Sequence, residues 1–166
     1  VDIATPEILP AERWSDLDRL NRERDLVGIY LSAHPLDEYS VVLEHVCNTH
    51  MAELEDKAAL VGREITMGGI VTSVRRGSKN GNPYGIAKIE DYSGSAELPF
   101  FGNDWVTYQG YLGERTFLYI KARCQPKQWR QDELELKITS MELLPDVKEK
   151  LIEKITILIP LSVLNK

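Results

Sequence analysis

Short segments in which apolar and polar side chains alternate fill the middle of the chain and predict β-strands. Two of them, residues 84–90 and 96–101, are separated by the sequence Asp91-Tyr92-Ser93-Gly94. Glycine adopts positive φ at little cost, and Asp and Ser bond to nearby backbone groups, so this sequence favours a tight turn between two strands. The same pattern predicts further strands at residues 65–76, 117–125 and 134–144.

Apolar residues at helical spacing dominate the first part of the chain instead. Trp14, Leu17 and Leu20 begin a pattern that predicts an amphipathic helix over residues 11–31. Pro35 ends that helix and suits the first turn of a second short helix. A short helical turn and a connector are predicted over residues 48–60.

The order of the predicted elements indicates a fold class. Five strands, with a short helix after Gly102 between the third and the fourth, follow the order of a five-stranded Greek-key barrel of the oligonucleotide-binding (OB) type. We therefore expect a mainly β fold, an OB-fold barrel preceded by a small α-helical segment, and α+β overall. The expected domains are a helical segment at 1–61, the barrel at 62–145, and a connector with the start of a further domain at 146–166. Residues 155–161 predict a strand without a partner among the other five.

Alternation also assigns inward and outward faces to the strands. In the second strand Ala87 and Ile89 are expected inside, which places Tyr84 and Lys88 on the outer surface. Of the adjacent Phe100 and Phe101, one belongs to the core and the other is available to stack on a base. Two further features are expected to shape the sheet: Gly68-Gly69 as a bulge or bend in the first strand, and Pro99 at a sheet edge or bulge.

Charge is distributed unevenly along the chain, whose net charge is −6. Residues 1–61 hold 5 basic and 13 acidic residues, whereas residues 62–145 hold 11 and 10. The acidity therefore lies before the barrel. A balanced domain binds nucleic acid when its basic side chains cluster on one face.

Basic and aromatic residues of the barrel define a candidate nucleic-acid surface. A polar, basic and mobile first loop is expected over Gly77–Pro83, and a second loop over Pro126–Glu133. The fourth strand places the aromatic Phe117 and Tyr119 on one face with two cations, a composition typical of single-strand binding. The residue Trp129 either stacks on a base or folds back on the barrel rim. The candidate binding residues are Arg75, Arg76, Lys79, Asn80, Tyr84, Lys88, Phe101, Lys121, Arg123, Lys127, Trp129 and Arg130.

Signatures of other functions are weak in this sequence. Cys47 and Cys124 are expected to be reduced thiols, His34 to bond backbone at a helix junction, and Trp105 to lie in the core. We find no Walker-type glycine loop, metal-ligand cluster or catalytic triad. The apolar run at 155–161 is far shorter than the roughly 20 residues that span a bilayer, and no signal peptide is recognised. We expect a cytoplasmic protein that binds and does not react.

Two motifs carry a resemblance to a known family. LVGIYLSAHPLDEY at 26–39, followed by IEDYSGSAELPFFGNDW at 89–105, resembles the C-terminal part of the bacterial DNA polymerase III alpha subunit, a C-family replicative polymerase. The resemblance covers about residues 14–159, and the first motif is the more specific.

The resemblance implies a parent that is a DNA-directed DNA polymerase, a nucleotidyltransferase of the replisome that uses Mg²⁺. It also implies that this segment is not the catalytic palm and holds no cofactor of its own. In that family the OB domain lies near the single-stranded template, and the following domain contacts the clamp-loader tau subunit. No sliding-clamp-binding peptide is recognised, and no membrane partner is expected.

Two hypotheses for the segment remain open. The first is a sequence-tolerant module that binds single-stranded template DNA near the polymerase active site. The alternative is a protein–protein docking module of the replisome with little DNA affinity of its own. Salt separates them, because phosphate contacts weaken as salt rises whereas an apolar interface persists.

Overall fold

A computed structural model describes residues 12–127 and 130–152 of the chain. The contacts divide the chain into two compact units, Val1–Pro35 and Leu36–Lys166. The strand predicted at residues 155–161 lies outside the described residues.

The described part of the first unit, from residue 12, contains the helix α1 (Asp16–Val27). Ser15 caps it by accepting a hydrogen bond from the backbone N–H of Asp18, and Gly28 ends it in the left-handed conformation at φ 88°. The helix predicted as far as residue 31 is therefore shorter, because Gly28 acts as its C-terminal cap.

Short helices at both ends of the barrel complete the second unit. The second predicted helix is present as a 3₁₀ turn, Asp37–Tyr39, that leads into α2 (Ser40–His45). The connector forms two 3₁₀ helices, Met51–Glu55 and Lys57–Leu60. α3 (Asn103–Tyr108) lies between the third and fourth strands as predicted, and α4 (Leu144–Ile152) follows the last strand.

Five antiparallel strands form one sheet in the spatial order β3-β2-β1-β4-β5. In chain order the strands are β1 (Glu64–Lys79), β2 (Asn82–Glu90), β3 (Ser95–Phe101), β4 (Phe117–Lys127) and β5 (Arg130–Leu143). This order and the helix after β3 confirm the OB fold class. Within the described residues β3 and β5 are edge strands that do not pair, so the barrel is open along one seam.

Both loops expected to rim the binding face are shorter than predicted. β1 and β2 continue to a two-residue turn, Asn80–Gly81, whose residues have φ of 53° and 79°. Two consecutive residues with positive φ match the twist of a hairpin, so the predicted loop Gly77–Pro83 is mostly strand. β4 likewise extends to Lys127 and β5 begins at Arg130, so most of the second predicted loop is also strand.

β1 is long enough to pair with two neighbours. Residues 64–70 pair with β4 and residues 70–79 with β2, and the register shifts between Val71 and Ser73. The bulge expected at Gly68-Gly69 therefore lies a few residues later. At Gly69 a Cβ would lie 2.7 Å from the carbonyl oxygen of Glu90, so the glycine there permits a close approach of β2.

Alternation along the strands separates the barrel core from the outer surface as predicted. Ala87, Ile89 and Phe100 are fully buried, and Trp105 of α3 closes the core at 6% exposure. The inward face of β4 is buried as well. Pro99 lies in the edge strand β3, where a residue without an N–H donor is tolerated in the hydrogen-bond ladder.

Candidate nucleic-acid interface

The outward face of β1, β2 and β3 carries the candidate site in parallel rows of side chains. Gly77, Tyr84 and Phe101 are register partners across the three strands and form the row nearest the β1–β2 turn. Two further rows follow, Arg75 with Ile86 and Pro99, then Ser73 with Lys88 and Glu97. Directly paired residues of neighbouring strands lie on the same face.

An aromatic pair, the half-buried Tyr84 and the exposed Phe101, forms the first row. The ring centroids of Tyr84 and Phe101 are 5.5 Å apart, with their planes inclined by 38°. Phe101 is 58% exposed whereas Phe100 is fully buried, so Phe101 is the phenylalanine available for stacking. A Cβ at Gly77 would lie 2.6 Å from Cζ of Tyr84, which shows that the tyrosine ring lies directly over this glycine. The absence of a side chain on β1 thus lets the ring lie flat on the sheet.

Cations surround the aromatic pair. Arg75 bonds Glu97 at 2.7 Å across β2, and both side chains are more than half exposed. Such exposed pairs contribute little to stability, so breaking this one would cost little. Among the described residues, Lys79 and Lys88 take part in no ion pair. These two ammonium groups are therefore ready to receive phosphates.

Arg76, the neighbour of Arg75, lies on the other side of β1. Its guanidinium carbon is 6.0 Å from the centroid of the Trp105 ring, and one of its N–H groups donates to the carbonyl of Leu112 at 3.4 Å. The structure therefore places Arg76 over the end of the barrel, away from the aromatic pair.

The aromatic residues of β4, which lie on the face whose composition is typical of single-strand binding, are covered by other parts of the chain. Tyr119 is 5% exposed, and the ring of Phe117 contacts that of Tyr39 at 4.9 Å between centroids. Residues of the 3₁₀ turn, α2 and α4 form this cover, namely Leu36, Tyr39, Val42, Leu43, Leu144 and Val147. Helices packed on the outer face of β1 and β4 leave no room there for a nucleobase.

Lys121 and Arg123 lie beyond that cover, far from the aromatic pair. Their partners in β1 are Thr66 and Glu64. Thr66 and Arg75 are nine residues apart, which is about 30 Å along an extended strand. The structure does not bring these two cations together with the first three rows.

The β4–β5 hairpin carries the remaining candidates. Glu133 forms ion pairs with both Lys127 and Arg130, the latter at 2.6 Å. These two hydrogen bonds, with Lys127 the stronger influence, lower the pKa of the Glu133 carboxyl. Trp129 lies outside the described residues. The two cations thus share one carboxylate, which leaves one net positive charge.

Two depressions meet at Phe101. A recess of about 430 Å³ lies beside the β1–β2 turn and is lined by Lys79, Asn80, Asn82, Pro83, Tyr84, Phe101 and Gly102. A longer groove of about 670 Å³ runs along the open seam between β3 and β5. Sequence reasoning did not select Asn82, Pro83 or Gly102. The Asn-Gly sequence at 80–81 could have signalled them, since a two-residue turn places residues 79 and 82 side by side.

The described residues offer little for catalysis. Burial raises the pKa of the Cys47 thiol to about 12, which keeps it protonated at neutral pH and unsuited to act as a nucleophile. No group of three or more His, Cys, Asp or Glu side chains in the described ranges could hold a metal ion. None of the helices described is long and apolar enough to cross a membrane.

Comparison with known families agrees with this geometry. Residues 65–144 match the family model of the OB-fold nucleic acid binding domain, and these limits coincide closely with β1 to β5. The match and the strand order thus agree on the OB fold for this part of the chain.

Relatives of the chain are alpha subunits of bacterial DNA polymerase III. The subunit of Mycobacterium tuberculosis (strain ATCC 25618 / H37Rv) is 30% identical over 116 residues, which are 69% of this chain and 10% of that subunit. That of Saccharopolyspora erythraea is 31% identical over 119 residues, 70% of this chain and 10% of the subunit. That of Halalkalibacterium halodurans is 28% identical over 161 residues, 94% of this chain and 14% of the subunit. The chain is similar to the DNA polymerase III alpha subunits over most of its own length and spans about a tenth of theirs.

A solved structure of asparaginyl-tRNA synthetase from Entamoeba histolytica also resembles the chain. It shares 20% sequence identity over 58% of this chain and 23% of the synthetase, with a TM-score of 0.40.

Proposed function

We propose that this chain is a non-catalytic, single-strand-binding module of a replicative DNA polymerase alpha subunit, and that it holds template DNA without strong sequence preference. The observation that carries the proposal is the pair of the half-buried Tyr84 and the exposed Phe101, on the same face as Lys79 and Lys88. A large aromatic side chain that is 58% exposed gains little from folding, whereas it offers a face on which any base can stack.

The mechanism combines stacking with phosphate contacts. Each base stacked on Phe101 or Tyr84 contributes roughly 1–3 kcal/mol of binding free energy. Lys79 and Lys88 neutralise phosphates on either side of the aromatic row, and Arg75 joins them after releasing Glu97. One module of this kind binds DNA weakly by itself. Within a larger polymerase that already holds the DNA, the tethered module experiences a high effective concentration of the strand, which raises the overall affinity.

Several properties of the parent protein belong to the same proposal. The alpha subunit as a whole would carry the DNA-directed polymerase activity with Mg²⁺, in a cytoplasmic bacterial replisome. The clamp-loader tau subunit would bind the domain after this one. Support for this context comes from the named relatives, of which the chain covers about a tenth.

A docking function has one observation in its favour. The first unit exposes several large apolar side chains, among them Leu26 at 86%, Leu31 at 62% and Ile29 at 59%. An apolar surface of this kind suits contact with another protein surface. We therefore retain replisome docking as the second candidate, assigned to the first unit and compatible with DNA binding by the barrel.

Fluorescence anisotropy with a labelled oligo-dT tests the leading proposal. The 166-residue chain is titrated at 50 and 200 mM salt, alongside Phe101→Ala and the control Val41→Ala, which removes an equally exposed apolar side chain from α2. We expect saturable binding that weakens with salt, a loss of about five- to tenfold in Phe101→Ala, and no change in the control. Equal binding by both variants, or no binding at all, would contradict the proposal and favour docking.

A further inference from the structure

The recess beside the β1–β2 turn contains two side-chain amides that the rest of the site does not explain. Asn80 and Asn82 both line it and are both exposed. In the described part of the chain neither amide makes a hydrogen bond through its side chain. Each therefore presents an unused donor and an unused acceptor next to an aromatic surface.

The backbone holds these amides in place. Asn80 is at φ 53° within the two-residue turn, and Asn82 is the direct register partner of Lys79 at the end of the hairpin. The opposite wall is Gly102, where a Cβ would meet no atom within 4 Å. The recess is thus open on the Gly102 side, polar at the turn and aromatic at Tyr84 and Phe101.

A nucleobase fits this arrangement better than a phosphate does. The volume of about 430 Å³ accommodates one nucleotide, and the lining includes one cation and two neutral amides. A primary amide offers a carbonyl acceptor and an N–H donor side by side, the pattern that pairs with N7 and the N6 amino group of adenine. Guanine presents two acceptors on the same edge, which suits Arg or Lys instead.

We propose that this recess is a base-selective subsite that receives one flipped nucleobase and prefers adenine. The inference rests on the proposed single-strand binding and adds to it one position at which the bound strand is read. In this arrangement the bicyclic base stacks across Phe101 and Tyr84, and its amino edge turns toward Asn82. Lys79 contacts the adjoining phosphate without regard to the base.

Competition between oligonucleotides tests the subsite. A labelled 12-mer of dT is displaced by unlabelled 12-mers that carry one central dA, dC or dG in a dT background. A single adenine is sufficient, because a sequence-tolerant strand can slide until that base reaches the recess. We expect the dA oligonucleotide to compete about five- to tenfold better than all-dT, and the dC and dG versions to differ from all-dT by less than threefold.

Variants assign the preference to the amides. Asn82→Ala should abolish the dA advantage and leave the affinity for all-dT within twofold. Asn80→Gly removes the other amide and keeps the positive φ that the turn requires. Gln109→Ala, which deletes an exposed amide at the end of α3, is the matched control and should keep the full dA advantage. Thermal melts establish that each variant is folded.

The possible results distinguish the base-selective subsite from the single-strand binding on which it rests. Equal competition by all four oligonucleotides, or a dA advantage that survives Asn82→Ala and Asn80→Gly, overturns the subsite and leaves single-strand binding intact. Binding of no oligonucleotide at low salt overturns the proposed function and the subsite together. A preference for dG or dC overturns the assignment of adenine.

Discussion

Replacing Gly77 by alanine is the sharpest test of the aromatic row, because the change acts on binding only through a neighbouring side chain. The new Cβ would lie 2.6 Å from both Cζ and Oη of Tyr84, and 2.9 Å from Cε1. Carbon atoms in contact are normally 3.5–4.0 Å apart, so the ring must move by about 1 Å or rotate away from the sheet. The flat arrangement with Phe101 is then lost.

The size of the effect follows from the stacking energy. If the tilted ring loses most of one base stack, binding weakens by roughly 1–2 kcal/mol, which is about 5- to 30-fold in Kd. Stability should change by less than about 1 kcal/mol, since Gly77 does not have positive φ and Tyr84 can turn toward solvent. A large loss of affinity with an almost unchanged melting temperature is therefore the expected signature.

A matched control and a double variant complete the experiment. Gly110→Ala adds the same methyl group where no atom lies within 4 Å and should bind oligo-dT as the parent chain does. Tyr84→Ala combined with Gly77→Ala should bind no worse than Tyr84→Ala alone, because the glycine acts through the tyrosine. Parent-like affinity of Gly77→Ala, or additive losses in the double variant, would refute the reasoning.

Three further predictions concern stability and titration. Gly85→Ala should destabilise the barrel by about 3 kcal/mol in urea unfolding, because its Cβ would lie 2.1 Å from Cζ3 of the buried Trp105, which has no space to move. Asp91→Ala should cost about 3 kcal/mol in the same assay, since this buried carboxylate accepts four hydrogen bonds, and a cost below about 1 kcal/mol would contradict this. The carboxyl of Glu133 should titrate below the ordinary glutamate pKa in NMR and return toward it in Lys127→Ala. Because this pKa is lowered in the folded state, the ion pair stabilises the hairpin above the ordinary pKa and is lost as pH falls through the lowered value.

The strand faces could be predicted because burial leaves a period of two in the sequence. Ala87 and Ile89 were assigned to the core by alternation, and both are fully buried. The choice of Phe101 over Phe100 as the exposed ring needed the structure, since two adjacent phenylalanines satisfy either phase equally well. The burial of Phe100 within the barrel shows that Phe101 is the exposed ring.

The loops were harder to predict because the same residues favour both loops and tight turns. Gly77, Asn80 and Gly81 together indicated a mobile segment, yet only the Asn80-Gly81 pair leaves the strands. Gly77 serves instead to accommodate Tyr84. A glycine in a strand can indicate flexibility or the close approach of another group. The sequence alone does not distinguish these two cases.

The burial of the aromatic face of β4 could not be predicted from the strand, because its cover comes from distant parts of the chain. Phe117 and Tyr119 alternate with buried residues as a solvent-facing row does, and only the helices that begin at Leu36 and Leu144 cover them. Nothing in strand periodicity showed that the outer side of β1 and β4 is covered.

The structure places several of the candidate cations away from the aromatic row, and their positions determine the salt dependence that we expect for binding. Lys127 and Arg130 lie on the β4–β5 hairpin, where they share the carboxylate of Glu133, and Lys121 is distant from the aromatic row. Two unpaired lysines and Arg75 remain, so two or three phosphates are neutralised. For single strands this gives a slope of log K against log salt of about −1.4 to −2. A measured slope steeper than about −4 would mean that the strand also runs over the β4–β5 hairpin and displaces Glu133. A slope near zero would mean that phosphate contacts contribute nothing to the affinity.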